Sequence, residues 1–196
     1  MAGDRIRILG FAGRACRDSI NKLLVQVSLR GVKQEDAEVD FVDRRDYPLP
    51  VCDGDSETKH GLPENVEKLR LHFLSAQGLL IASPEYNGFL SPMVKNTLDW
   101  LSRSPDASSD LSAFQGKTAA VMSALPGPLG GLRGLRGLRE LLTNLGITVL
   151  PNQVTIHAAF KAFDAEGRFV DEAQASRVEA LGGELARATA RLSPVQ

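Results

Sequence analysis

The chain has few of the residues that build metal sites and covalent cross-links. Its 196 residues include two cysteines, which show no metal-ligand spacing, and three histidines, which lie far apart along the chain. Two isolated cysteines also provide no disulfide framework of the kind found in small secreted proteins. A structural metal site and a cross-linked extracellular fold are therefore disfavoured, and a reducing compartment is expected.

The chain also lacks an excess of charge of one sign and has no long apolar run. The formal net charge is −1, with 43% hydrophobic and 24% charged residues, which gives no reason to expect nucleic acid or a membrane surface as a partner. No segment approaches the roughly 18 apolar residues of a spanning helix, and the apolar stretch within residues 1–7 is too short for a signal peptide. We expect a single cytosolic domain over residues 1–196 that binds a small molecule.

Short apolar runs rich in β-branched residues alternate along the chain with longer segments of helical periodicity. This alternation is typical of a parallel sheet with helices on both faces. It predicts a three-layer, flavodoxin-like α/β fold with five strands and five helices. The predicted strands are residues 5–11, 37–42, 78–82, 117–122 and 147–150, and the predicted helices begin near residues 19, 63, 91, 132 and 171.

The most informative motif follows the third predicted strand, where residues 83–88 read Ser-Pro-Glu-Tyr-Asn-Gly. We expect a tight polar loop here, between the strand and the next helix. Ligands of open parallel sheets bind at the carboxyl ends of the strands. The backbone amides, carboxylate, phenol and side-chain amide of this loop are therefore placed to hold a flat polar cofactor. Glu85 is interpreted either as a contact to that ligand or as a solvated loop carboxylate.

Two further loops end at the same edge of the predicted sheet, because the first and fourth strands run in the same direction as the third. Residues 10–21 combine glycines, hydroxyls and a helix N-terminus, and they form either a phosphate cradle or an ordinary turn capped by Asp18 or Ser19. Residues 123–131 contain three glycines, which permit close approach of a ligand or simply a flexible connection.

Together these motifs resemble those of the NADPH-dependent FMN reductases, the group that includes bacterial quinone, azo-dye and chromate reductases. The resemblance implies a sheet of strand order 2-1-3-4-5, non-covalent FMN, NADPH or NADH as the reductant, and homodimers or homotetramers. The motifs that carry it are Phe11-Ala12-Gly13, Asp18-Ser19-Ile20-Asn21-Lys22, Ser83 to Gly88, Lys95 to Arg103, and Gly130-Gly131-Leu132-Arg133.

The resemblance also implies where each part of the cofactor lies. No side chain is expected to act as an acid or base, because the flavin N5 takes the hydride and passes electrons to a quinone, free flavin or a similar acceptor such as an azo dye or chromate. The implied cofactor-binding residues are Arg14, Arg17, Ser19 and Asn21 for the phosphate, Pro84, Glu85, Tyr86, Asn87 and Gly88 for the isoalloxazine, and Ser123 and Gly127 for its far edge.

The chain departs from the family pattern in two loops. Gly13 is followed by Arg14 and, two positions on, by Cys16, where the family usually has a serine and an arginine. Leu125 and Pro128 stand where the family often has serine and glycine. These departures support one alternative, a flavin-depleted binding or regulatory homologue. Another is a flavodoxin-type electron carrier, against which the nearly neutral charge argues. Cys16 is either a reactive thiol or a small buried residue.

The predicted fourth helix carries two interior glycines, Gly134 and Gly137, each of which weakens a helix by about 1 kcal/mol relative to alanine. Their presence predicts close packing against a neighbouring element or a second subunit. A leucine stripe predicts the buried face, and an arginine stripe is either solvated or placed to meet the NADPH 2′-phosphate. The arginines are Arg133, Arg136 and Arg139.

Overall fold

The computed structural model describes residues 5–193. Residues 1–4 and 194–196 lie outside this range. The predictions that include them, on a signal peptide in residues 1–7 and on a domain over residues 1–196, therefore fall partly outside the described residues. Within it, the chain forms a five-stranded parallel sheet of order β2-β1-β3-β6-β7, with a separate two-stranded hairpin, β4–β5. Counting only the strands of the large sheet, this is the expected order 2-1-3-4-5, so the flavodoxin-like fold is confirmed. None of the described helices is long and apolar enough to cross a membrane.

The elements alternate as the apolar periodicity predicts. The strands are β1 (Arg7–Ala12), β2 (Glu38–Val42), β3 (Gly78–Ala82), β4 (Glu85–Tyr86), β5 (Phe89–Leu90), β6 (Thr118–Ala124) and β7 (Thr148–Ile156). The helices are α1 (Ile20–Gln34), α2 (Gly54–His60), α3 (Glu64–Ser75), α4 (Pro92–Leu101), α5 (Leu132–Asn144) and α6 (Glu172–Leu192), with a short 3₁₀ turn at Ala159–Lys161.

The sheet lies between two helical layers with separate apolar cores. Apolar side chains of α1 and α6 pack on one face, and those of α3, α4 and α5 pack on the other. The central strand β3 is buried over its whole length, since it is covered on both faces. Trp100 of α4 belongs to the second core, and its indole Nε1 donates to the carbonyl of Pro50 at 2.9 Å. This bond ties the segment after β2 to α4.

Two predicted boundaries are wrong. No helix is predicted between the second strand and residue 63, but α2 follows Asp53, whose carboxylate accepts a hydrogen bond from the Ser56 backbone N–H at 2.7 Å. The last strand was expected to end at residue 150, but β7 continues past Pro151 to Ile156. An edge strand tolerates proline, and the pairing with β6 shifts register at this point.

Candidate functional site

The loop after β3 folds into the hairpin β4–β5 and is not the simple loop that the sequence predicts. Asn87 and Gly88 both have positive φ, 52° and 82°, which is the geometry of a type I′ turn. An Asn-Gly pair favours this turn because both residues tolerate left-handed backbone. The pair was therefore the sequence signal that could have revealed the hairpin.

Side chains fix the loops after β1, β3 and β6 to one another at the carboxyl edge of the sheet. The Asn21 amide donates to the carbonyl of Ala124 and accepts from its N–H, both at 3.0 Å, which joins the start of α1 to the end of β6. Ser91 caps α4 at the predicted start of that helix, and its hydroxyl also donates to the carbonyl of Gly13 at 2.6 Å. The three loops therefore form one preorganised edge.

Two buried hydroxyls at this edge have no protein partner within the described residues. They belong to Ser19, which is 3% exposed, and Ser123, which is fully buried. Ser19 is the N-cap residue of α1, but its side chain makes no capping bond. A third such hydroxyl, that of Ser28, lies within α1. An unpaired buried polar group costs about 1–3 kcal/mol, so the first two hydroxyls leave hydrogen-bonding capacity unsatisfied where the loops meet.

One cleft, which we call the hairpin cleft, has a volume of about 590 Å³ and lies between the hairpin and the loop after β6. Much of its wall is backbone. A Cβ added at Gly127 would meet nothing within 4 Å, and one added at Gly88 would meet only Arg133, at 3.9 Å or more. The cleft is lined by Glu85, Asn87, Gly88, Leu125, residues 127–131 and Arg133.

The Glu85 carboxylate is held at the N-terminus of α5. It accepts from the backbone N–H groups of Arg133 and Gly134 at 3.1 and 3.2 Å, and the Arg133 guanidinium also pairs with it. Burial acts to raise the pKa of Glu85, but the hydrogen bonds from Arg133 and Gly134 outweigh it and lower that pKa below the usual value. Neither sequence interpretation of Glu85 describes this role, because its carboxylate serves as a helix cap.

A second cleft, the outer cleft, has a volume of about 890 Å³ and lies between the first loop, the segment after β2 and α4. Tyr86 lines this cleft, whereas its neighbours Glu85 and Asn87 line the hairpin cleft. The alternation of side chains along β4 thus places the hairpin between the two clefts. The Tyr86 hydroxyl accepts from Arg14 Nη1 at 2.7 Å, which fixes the first loop against the hairpin.

Arg44 was not singled out by the sequence analysis, although it lies in the wall of the outer cleft. It follows β2 directly, so the rule that places loops at the carboxyl edge of the sheet could have identified it. Only 5% of the residue is exposed. Burial lowers the pKa of Arg44 to about 10, with the nearby Asp43 opposing the shift, and the side chain is still charged at neutral pH.

The predicted site residues divide among four places. Arg17 is exposed in the first loop, and Cys16 is exposed as well, so the interpretation of Cys16 as a small buried residue is wrong. Glu85, Asn87, Gly88 and Gly127 line the hairpin cleft, Arg14 and Tyr86 line the outer cleft, and Ser19, Asn21, Pro84 and Ser123 are buried where the loops meet.

The two interior glycines of α5 have a partner within the same chain. A Cβ at Gly134 would lie 3.0 Å from the carbonyl oxygen of Phe89, and one at Gly137 would lie 2.5 Å from the ring of Phe89. The hairpin therefore packs directly on the backbone of α5. Close approach of a neighbouring element was predicted correctly, but a second subunit is not needed to explain these glycines.

The fold and this edge define a flavodoxin-like α/β protein with ligand clefts at the carboxyl ends of its strands. The model of the family described as NADPH-dependent FMN reductase matches residues 6–161. The chain belongs to this family.

Several named proteins are similar over most of their length. An NAD(P)H-dependent FMN reductase of Pseudomonas aeruginosa is 33% identical over 170 residues, 86% of this chain and 87% of that protein. A 2-hydroxy-1,4-benzoquinone reductase of a Burkholderia species is 33% identical over 169 residues, 85% and 87% of the two chains. The solved structure of FerB, a flavoenzyme NAD(P)H:(acceptor) oxidoreductase of Paracoccus denitrificans, superposes with a TM-score of 0.76 at 25% identity, covering 95% of this chain and 98% of that one.

Proposed function

We propose that this chain is an NAD(P)H-dependent oxidoreductase that binds FMN non-covalently at the junction of the three loops and reduces quinones or similar small acceptors. The observation that carries the proposal is the pair of buried hydroxyls, Ser19 and Ser123, which no group among residues 5–193 satisfies. They lie at the edge where α1 begins and β6 ends, and the N-terminus of α1 adds unpaired backbone N–H groups that favour an anion.

The residues present fit this cofactor. Ser19 would donate to the phosphate at the start of α1, with the exposed Arg14 and Arg17 adding positive charge. Asn21 would act by holding that loop to Ala124, since its amide already bonds the backbone there.

The backbone around Gly88 and Gly127 leaves room in the hairpin cleft for a flat ring. Pro84 to Gly88 would contact that ring through backbone and apolar surface, while the Glu85 carboxylate stays on α5. Ser123 would meet the far edge of the ring. The bound flavin supplies the two-electron chemistry between the nicotinamide and the acceptor, and the protein supplies binding, orientation and exclusion of water.

The experiment begins with the purified protein and FMN. We expect the protein to bind FMN in a fluorescence titration, and NADPH to bleach the flavin absorbance under anaerobic conditions until a quinone is added. A protein that binds no FMN would instead be the flavin-depleted homologue. One that binds FMN but is not bleached by NADPH or NADH would act as an electron carrier.

Assembly and compartment belong to the same proposal. We expect a homodimer or homotetramer, supported by large apolar side chains that stay exposed on the single chain outside the outer cleft, among them Leu71, Phe89 and Phe160. Light scattering that gives a monomer mass at full activity would contradict this. We also expect a cytosolic location, supported by the two free cysteines, Cys16 and Cys52, and cell fractionation would test it.

A further inference from the structure

Positively charged side chains are concentrated in the lining of the outer cleft, although the formal net charge of the chain is −1. Its lining includes one carboxylate, that of Asp99, and this group pairs with Lys95 at 2.6 Å. The three arginines of the lining form no ion pair within 4.0 Å among residues 5–193. Asp43 interacts electrostatically with Arg44 and Arg45, but its carboxylate is paired with Lys22 at 2.7 Å. The cationic side chains of the lining are Arg14, Arg44, Arg45 and Lys95.

Two hydrogen bonds fix the guanidinium of Arg44 in the wall of the outer cleft. Its Nε donates to the Thr97 hydroxyl at 3.0 Å, and its Nη1 donates to the carbonyl of Tyr47 at 2.6 Å. Both of these partners are uncharged, so they do not neutralise the guanidinium. A buried cation normally has an anionic partner, and within the described chain no carboxylate oxygen lies within 4.0 Å of Arg44. An anionic ligand in the cleft would complete the site.

The rest of the wall is apolar. Val51, in the segment after β2, is 81% exposed, and Met93 joins the lining from the first turn of α4. A wall of this kind favours a flat aromatic group, because prolines and aliphatic side chains offer contact area without competing hydrogen-bonding groups. The apolar lining residues are Pro48, Leu49, Val51, Pro92 and Met93.

We infer that the outer cleft binds the adenosine end of NADPH, with the adenine on the apolar wall and the 2′-phosphate on Arg44 and Arg45. This inference rests on the proposed function and assigns the dinucleotide to a particular site. The two clefts share the hairpin, so a dinucleotide with its nicotinamide at the flavin would reach the outer cleft past Tyr86. Arginine is suited to a phosphate monoester because its planar donors bind two oxygens at once.

The placement differs from the one that the arginine stripe of α5 suggested. Arg133 is engaged by Glu85, and Arg139 donates to the carbonyl of Leu150 at 2.7 Å. Both side chains therefore already have partners. The Arg45 side chain is exposed and forms no hydrogen bond or ion pair among residues 5–193, although its charge acts on Asp43, which also accepts from its backbone N–H. The guanidinium of Arg45 in the outer cleft is consequently freer to bind a phosphate than those of Arg133 and Arg139.

Binding tests this without any turnover. With the FMN-loaded protein, calorimetry should show 2′,5′-ADP binding at least about tenfold more tightly than 5′-AMP, the difference expected of one charge-assisted phosphate contact. Arg45→Ala and Arg44→Gln should each remove most of this preference, with folding checked by thermal unfolding. Arg30→Ala is the matched control, because Arg30 is exposed on α1 and lines neither cleft. Equal affinity for the two nucleotides, or a preference that survives both variants, would overturn the inference.

Kinetics separates this inference from the proposed function. Arg45→Ala should raise the KM for NADPH about tenfold while leaving the KM for NADH and both kcat values within twofold. Parallel changes for the two nucleotides, or no change, would contradict the assignment of the 2′-phosphate but not the reductase activity. An FMN-loaded wild-type protein that oxidises neither nucleotide would contradict the proposed function itself.

Discussion

The ring of Phe89 covers the backbone of Gly137, at a distance that leaves no room for a side chain between them. A Cβ at position 137 would lie 2.5 Å from Phe89 Cε2. Phe89 belongs to the hairpin that separates the two clefts, and 56% of it is exposed. The ring is therefore not part of the core and packs against the protein through its contact with α5. The glycines of α5 therefore set the position of the hairpin, and through it the shape of both clefts.

The first prediction concerns this contact. An exposed Gly→Ala change in a helix ordinarily stabilises by about 1 kcal/mol, but Gly137→Ala should destabilise by about 1–2 kcal/mol, because the methyl group displaces Phe89. In the Phe89→Ala background the same change should become neutral or stabilising. Denaturant unfolding of the four proteins gives the double-mutant cycle. Equal effects of Gly137→Ala in the two backgrounds would show that the ring does not restrain α5.

The second prediction concerns pH. Because the folded-state pKa of Glu85 is lowered, its stabilising effect is present above the ordinary carboxyl pKa and is lost as the pH falls through the folded value. Glu85→Gln should therefore cost about 1–3 kcal/mol at neutral pH and progressively less in acid. Unfolding free energies of both proteins across the acidic range test this. A cost independent of pH would mean that the charge of Glu85 does not matter.

The third prediction separates two neighbouring polar residues at the start of α1. Ser19→Ala should leave the flavin-free protein as stable as before, since no group in the described part of the chain bonds that hydroxyl, but should weaken FMN binding about tenfold or more. Asn21→Ala should instead destabilise the flavin-free protein by about 1–3 kcal/mol, because two backbone bonds to Ala124 are lost. Unchanged FMN affinity in Ser19→Ala would exclude that hydroxyl from the phosphate site.

The fourth prediction places the flavin ring. At Gly127 an added side chain meets nothing within 4 Å, so Gly127→Val should fold normally and still block a ring in the hairpin cleft. Gly88→Val is a poorer test, because φ at Gly88 is 82° and valine would strain the turn itself. Gly54→Val, at another open position, is the control. Full FMN affinity in folded Gly127→Val would place the ring elsewhere.

Much of the protein follows from its sequence alone. The alternation of apolar runs predicted the parallel sheet, because strands covered on both faces must be apolar throughout. The Ser91-Pro92 start of α4 was readable because capping depends on adjacent residues. The motif over residues 83–88 pointed to the carboxyl edge of the sheet and to the family that the comparisons then established.

The tertiary structure decided what depends on distant parts of the chain. Glu85 became the cap of α5, 48 residues away from Arg133, and Arg44 came to line the outer cleft only because the segment after β2 folds beside α4. Likewise, the glycines of α5 looked like a subunit contact until Phe89 was seen to cover one of them. Local patterns specify elements because backbone geometry is local, whereas the partner of a side chain is fixed only when separate elements pack together.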